Sequence, residues 1–192
     1  MDRNQLEEYA SSSLAFYGLD LSRISSVLIA QIWNHELNRS LSVHCIGDEL
    51  KRIEKGNSKK VGIFKHLPLE GLNKAHFFNA SFIRGNINAE FGLEYCGNTK
   101  LDKALNQAFE QYKSGYTNDE MCMLLAHEFT VMTIEKRAHK GKLSGEWIVY
   151  QVYEGKNYYL ALGCHKEDDQ DIYDRVKAAY RLNFPFLVDT SA

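Results

Sequence analysis

The stretch Gly145–Cys164, "GEWIVYQVYEGKNYYLALGC", decides the fold class of this chain. Two alternating runs, "GEWIVYQVY" and "NYYLALGC", are joined by a turn at Glu154-Gly155-Lys156. Apolar runs of strand length around a glycine-containing turn predict a β-hairpin. On either side the periodicity changes to that of helices. "TKLDKALNQAFEQYKSG" (Thr99–Gly115) places Leu101, Leu105, Ala108 and Tyr112 on one face, with Thr99 as cap and Gly115 as stop. Thr117 and Glu120 form a capping-box pattern that opens a second helix, predicted to reach about Ala138. After the hairpin, Asp168 or Asp169 caps a helix carrying Ile172, Val176 and Ala179.

Towards the N-terminus the pattern is helical as well. Leu6, Tyr9, Ala10, Leu14 and Tyr17 predict a helix over 4–17 that Gly18 ends. Asp20 reads as the cap of another helix with Leu21, Ile24, Val27, Leu28 and Ile32 on one face. "GDELKRIEKGNSKK" continues as a short charged helix running into a basic loop, and Val61–Lys65 is a short strand. Residues 66–98 fit neither period and are read as loops with one short element around Ala75–Ile83. The expectation is a single α+β domain over 1–192, with a helical N-terminal part to about residue 56 and helices packed around an antiparallel sheet that contains the hairpin at about 145–163.

Composition narrows the class of protein. Of 192 residues, 44% are hydrophobic and 25% charged, with 11 Tyr and 10 Phe, enough apolar surface for a self-supporting core. No apolar stretch reaches the ~20 residues of a membrane helix. The acidic, polar start "MDRNQLEEYASSS" does not resemble a secretory leader, so a cytoplasmic protein without membrane partners is expected. Cys45, Cys96, Cys122 and Cys164 are widely spaced, which predicts reduced, mostly buried thiols rather than a zinc ribbon or a disulfide framework.

The net charge of −2 is unevenly spread. Six cations lie between Lys51 and Lys65 against Glu54 alone. Four lie between Glu135 and Lys142, so the two windows carry +5 and +3 and the rest of the chain −10. Basic windows are either solvated loops or a phosphate-binding face.

"LLAHEFTVM" (Leu124–Met132) sets His127 and Glu128 inside an apolar run. On a regular helix Met121, Leu124, Leu125, Val131 and Met132 share a face, with Glu128 near its middle and His127 at its edge. A carboxylate there is either tethered to a cation or poised for proton transfer. The zinc-protease spacing is absent, because Val131 stands where a second histidine would. His66, His76, His139 and His165 each have a cation within two residues, the parts that metal-independent RNA cleavage needs. His165 follows the second hairpin strand, and with Glu167, Asp168 and Asp169 it offers a metal reading that helix capping also explains. Cys164 and His165 are strand neighbours with opposed side chains, which argues against a dyad. The hairpin tyrosines Tyr150, Tyr153, Tyr158 and Tyr159 read first as half-buried sheet faces.

Two functions follow as expectations. The first is a cofactor-independent phosphodiesterase of ribonuclease type, acting on RNA or another phosphate-bearing ligand. In it Glu128, His165 and His127 share acid–base work, Arg137, His139 and Lys140 hold phosphate, and no metal is required. The second is a non-catalytic inhibitor or immunity-type protein whose acidic C-terminal region engages a basic partner.

Overall fold

The computed structural model describes residues 2–58, 61–77, 87, 90–91, 102–103, 105–106, 110, 118–139, 146–164 and 167–190. The chain divides into two compact units, one formed by residues 1–79 and 145–192, the other by 80–144.

The first unit is built on a four-stranded antiparallel sheet in the order β1 (Val61–Ile63), β2 (Asn73–Phe77), β3 (Glu146–Tyr153) and β4 (Lys156–Cys164). β3 and β4 form the expected hairpin, with Glu154 and Gly155 at the turn in the left-handed region, φ 49° and 73°. A bulge falls at Val149/Tyr150, so Val149 faces Ala161 while Tyr150 faces Tyr159. The short element expected around Ala75–Ile83 overlaps β2 at 75–77, although β2 begins earlier, at Asn73, and residues 78–83 lie outside the described residues. An α+β fold with a C-terminal hairpin is what the chain forms.

Helices cover both faces of this sheet. α1 (Arg3–Ser12), α2 (Ser26–Leu37) and α3 (Val43–Glu54) precede it, and a final helix (Asp169–Asn183, α6 in chain order) follows it. Trp147, Val149 and Leu160 share a core with Ile172, Val176 and Ala179 of that final helix. Tyr159 points the other way, its hydroxyl bonding Glu54 at the end of α3 at 2.6 Å. Burial on two sides makes Trp147, Ile148, Val149 and Tyr150 all inaccessible, so the alternation expected of a half-buried strand is lost at the centre. Gly47 lets α3 approach the 14–16 turn: a Cβ there would lie 2.3 Å from the Ala15 carbonyl oxygen.

Local signals fixed some boundaries and misled at others. Asp168 caps the final helix, accepting from the Gln170 N–H. Asp20 instead caps only a single 3-10 turn, Leu21–Arg23, and α2 starts at Ser26 with Ser25 as its cap. Asp20 and Glu54 both bind Arg23, which reaches Glu54 through two nitrogens at 3.0 and 2.7 Å and Asp20 at 3.1 Å. Burial pushes the Glu54 carboxyl up, but Arg23, Tyr159 and Asn157 outweigh it and hold the group below its ordinary value. The cluster ties α3 to β4.

In the second unit, α4 (Asn118–His127) runs through a five-residue π-helical segment, Glu128–Met132, into α5 (Thr133–His139). The helix expected over 117–138 is therefore present but irregular. The wider π turn shifts the phase of everything after it, leaving Val131 and Met132 exposed and Thr133 buried. The Thr130 hydroxyl donates to the Ala126 carbonyl at 2.6 Å, a side-chain bond that competes with the helical ladder. The helix expected over 99–115 lies mostly outside the described residues, but those described within it (102, 103, 105, 106 and 110) are helical. Among the described residues no helix is long and apolar enough to cross a membrane.

Candidate active site

The sequence-predicted site residues divide between the two units. His127 ends α4 with its side chain exposed, and Glu128 opens the π segment, its side chain lying outside the described residues. Arg137 on α5 is largely buried, 3.7 Å from Glu90, which also bonds Lys136 at 3.0 Å. His139 is the last residue of α5; its side chain, Lys140 and His165 lie outside the described residues. Glu128 and Arg137 thus share the 80–144 unit, whereas His165 falls in the sequence of the other.

A second constellation sits at the open end of the β3–β4 hairpin. Because the hairpin folds Glu146 onto Cys164, the first residue of β3 and the last of β4 lie side by side. α2 runs along the outer edge of β4, where the Gln31 side chain acts as a substitute strand. Its amide oxygen accepts from the Leu162 N–H at 2.8 Å and its NH2 donates to the Leu162 carbonyl at 3.2 Å. Arg175, on the final helix, adds a bond to the same carbonyl at 3.2 Å and an ion pair with Glu167 at 2.5 Å. Its Nε is buried with no hydrogen-bond partner. Gln31, His35, Glu146, Cys164, Glu167 and Arg175 together line a cavity of about 320 Å³.

The electrostatics of this cavity follow from its walls. Burial, and then the charge of Glu167, push the Glu146 carboxyl up to about 7. Burial lowers His35, favouring its neutral ring, and its Nδ1 pairs with the Ser40 hydroxyl at 2.8 Å. The groove thus combines one carboxyl that titrates near neutrality, one carboxylate paired with a guanidinium, and a neutral imidazole.

Glu146, Glu167 as a catalytic group, and Arg175 escaped the sequence reading. Folding the two hairpin runs onto each other about Gly155 brings Glu146 opposite the Cys164-His165 end, a signal that was available. The cavity beside Glu146 is walled by α2 and the final helix, which no local pattern reveals. Among the described residues no three His, Cys, Asp or Glu side chains are placed to hold a metal ion. Cys45, Cys122 and Cys164 are free, but Cys122 is exposed and the other two half-buried, which corrects the expectation of buried thiols; Cys96 lies outside the described residues.

The hairpin tyrosines behave as sheet-face residues. Tyr150 and Tyr159 are buried, and Tyr153 and Tyr158 pack against Phe186 with ring centroids 5.4 and 5.3 Å apart. Of the acidic run around the start of the final helix, Asp168 caps it and Glu167 pairs with Arg175; within the helix Asp174 pairs with Lys177. No known protein family, curated protein or solved structure matches the chain.

Proposed function

We propose that the protein is a small hydrolase acting on a phosphodiester, with RNA the substrate to test first, and that its acid–base centre is the groove between Glu146 and Glu167. The observation that carries this reading is the Glu146 carboxyl, set in an open cavity beside a second carboxylate and an arginine. A group with a pKa near 7 gives and takes a proton with comparable ease at neutral pH. Unequal environments for two neighbouring carboxyls are the arrangement by which one fold runs acid and base steps together.

In this reading the Glu167 carboxylate accepts the proton of the attacking hydroxyl and protonated Glu146 donates one to the departing oxygen. Arg175 faces the charge that builds on phosphorus. What supports these roles is that the groups converge on one cavity, Glu146 from β3, Gln31 and His35 from α2 and Arg175 from the final helix. With Glu167 paired to Arg175 and Asp168 capping the helix, two of the acids that the inhibitor reading would offer a basic partner are already engaged.

The test is cleavage of labelled RNA by the purified chain from about pH 5 to about pH 9. Glu146→Gln is expected to lower the rate on the order of a hundredfold or more, while Glu128→Gln leaves it within about twofold. Absence of cleavage by the unaltered protein at every pH, or full activity in Glu146→Gln, overturns the proposal.

A further inference from the structure

The sheet ends on two unlike edges. That of β4 is closed: Ile24 bridges Tyr159, the Ser25 N–H bonds the Tyr159 carbonyl at 2.9 Å, its hydroxyl bonds that of Leu160, and Gln31 serves Leu162. Among the described residues β1 pairs with β2 alone. The Phe64 N–H donates to the Leu72 carbonyl at 2.9 Å, which sets the phase of the ladder. Hydrogen-bonded pairs alternate along an antiparallel pair, so Gly62 bonds across to Lys74 and the N–H and C=O of Val61 and Ile63 point outward. Among the described residues no side chain or strand takes up those groups. The side chains of Val61 and Ile63 are exposed as well, at 51% and 56%.

Open main-chain groups flanked by exposed β-branched residues form a template for another strand. The surrounding charge selects which strand. Lys59 and Lys60 immediately precede β1 in the sequence, and exposed Lys65 follows it closely. Glu54, the acid within the basic window 51–65, is occupied by Arg23, Asn157 and Tyr159. Lysines beside an edge repel a second copy of the same edge and attract carboxylates. A polyphosphate would use the lysines but neither the ladder groups nor the apolar side chains.

We infer that β1 is a docking edge for an extended acidic segment of a partner protein, which adds to the sheet as a fifth strand with apolar residues at alternate positions. The edge lies outside the proposed hydrolytic groove and its use does not depend on that reading.

The probe is a short synthetic peptide alternating glutamate with valine, titrated into the full chain while the backbone amide signals are followed by NMR. Saturable shifts centred on Val61, Gly62 and Ile63 are expected, with affinity falling about tenfold or more as salt rises from low to physiological strength. The same peptide N-methylated at every second residue should lose binding on one of its two edges. Ile63→Pro deletes an outward N–H that β2 does not use and is expected to weaken binding about tenfold or more with the circular dichroism unchanged; Lys65→Glu should weaken it too. The N-methylated peptides test the unaltered protein, so a variant that fails to fold leaves the result decided. Any of four outcomes overturns the inference: no saturable binding, equal binding of all the N-methylated forms, tighter binding of single-stranded RNA at the same amides, or self-association of the chain through β1.

Discussion

Glu146 is the residue at which stability and the proposed chemistry pull against each other. Its folded pKa of about 7 lies above the ordinary glutamate value of 4.5, so between those limits the folded chain holds a proton that the unfolded chain has released. Stability of the native protein therefore falls as pH rises through that window and stays low above it. Partial exposure screens the effect, so the loss is expected to be roughly 1–2 kcal/mol. Glu146→Gln removes the titration. Urea melts should find the variant more stable than the parent by that amount near pH 8, with no difference near pH 4. A constant difference at all pH values would mean that the carboxyl does not sense its burial. A variant that gains stability while losing RNA cleavage would carry the mark of a working group. The hairpin register places Glu146 opposite Cys164, but its burial was not legible in the sequence, where Glu146 is one acid beside a tryptophan. Glu128 stands out because its neighbours in the chain are apolar, whereas the environment of Glu146 is assembled from separate segments, with Cys164, Glu167 and Arg175 some 18 to 29 positions on and Gln31 and His35 more than a hundred positions back.

At the scale of elements, legibility followed how local the controlling interaction is. The hairpin and the final helix could be read because their turn, their cap and their apolar spacing are contained in the segments themselves. β2 was half seen, since Ala75 is buried between β1 and β3 and Phe77 beside β3, neighbours that lie outside its own segment. The π segment was invisible: a helical wheel assumes one constant turn, and Glu128–Met132 does not keep it. Gln31 shows the same limit. In sequence it is a polar residue within an apolar helix, yet in the fold it closes the edge of β4. Gln31→Leu would leave the Leu162 N–H without its partner in a packed environment and shift the Leu162 carbonyl onto Arg175 alone. A cost of roughly 2–3 kcal/mol is expected from one orphaned main-chain group and one weakened bond. Chemical denaturation gives the magnitude. Hydrogen exchange should place the effect at Leu162, and an unchanged exchange rate there would show that Gln31 does not cap the strand.

The two units of the molecule have a simple relation along the chain. β2 and β3 are antiparallel neighbours, and Phe77 at the end of one lies opposite Glu146 at the start of the other. The chain therefore leaves the sheet after Phe77 and returns to the adjacent position, so the 80–144 unit is an insertion into what would otherwise be a tight hairpin. One core cluster of the first unit draws on residues 64–72, 147–160 and 172–187, and among the described residues none of its members lies within the insertion. Loop-closure entropy grows by about 0.6 kcal/mol for each doubling of loop length, so shortening the connection favours the sheet. Replacing residues 78–145 with a short glycine-containing turn is expected to give a chain that still melts cooperatively, with near-ultraviolet signals from Trp147 and its aromatic neighbours retained. That shortened protein also separates the two candidate sites, since it keeps Glu146, Glu167, Arg175 and His165 but lacks His127, Glu128, Arg137, His139 and Lys140. Cleavage of RNA by the shortened chain, abolished by Glu146→Gln, would assign the chemistry to the hairpin groove. A shortened chain that folds but does not cleave, beside a full-length protein that does, would return it to the π-helical segment and its basic neighbours.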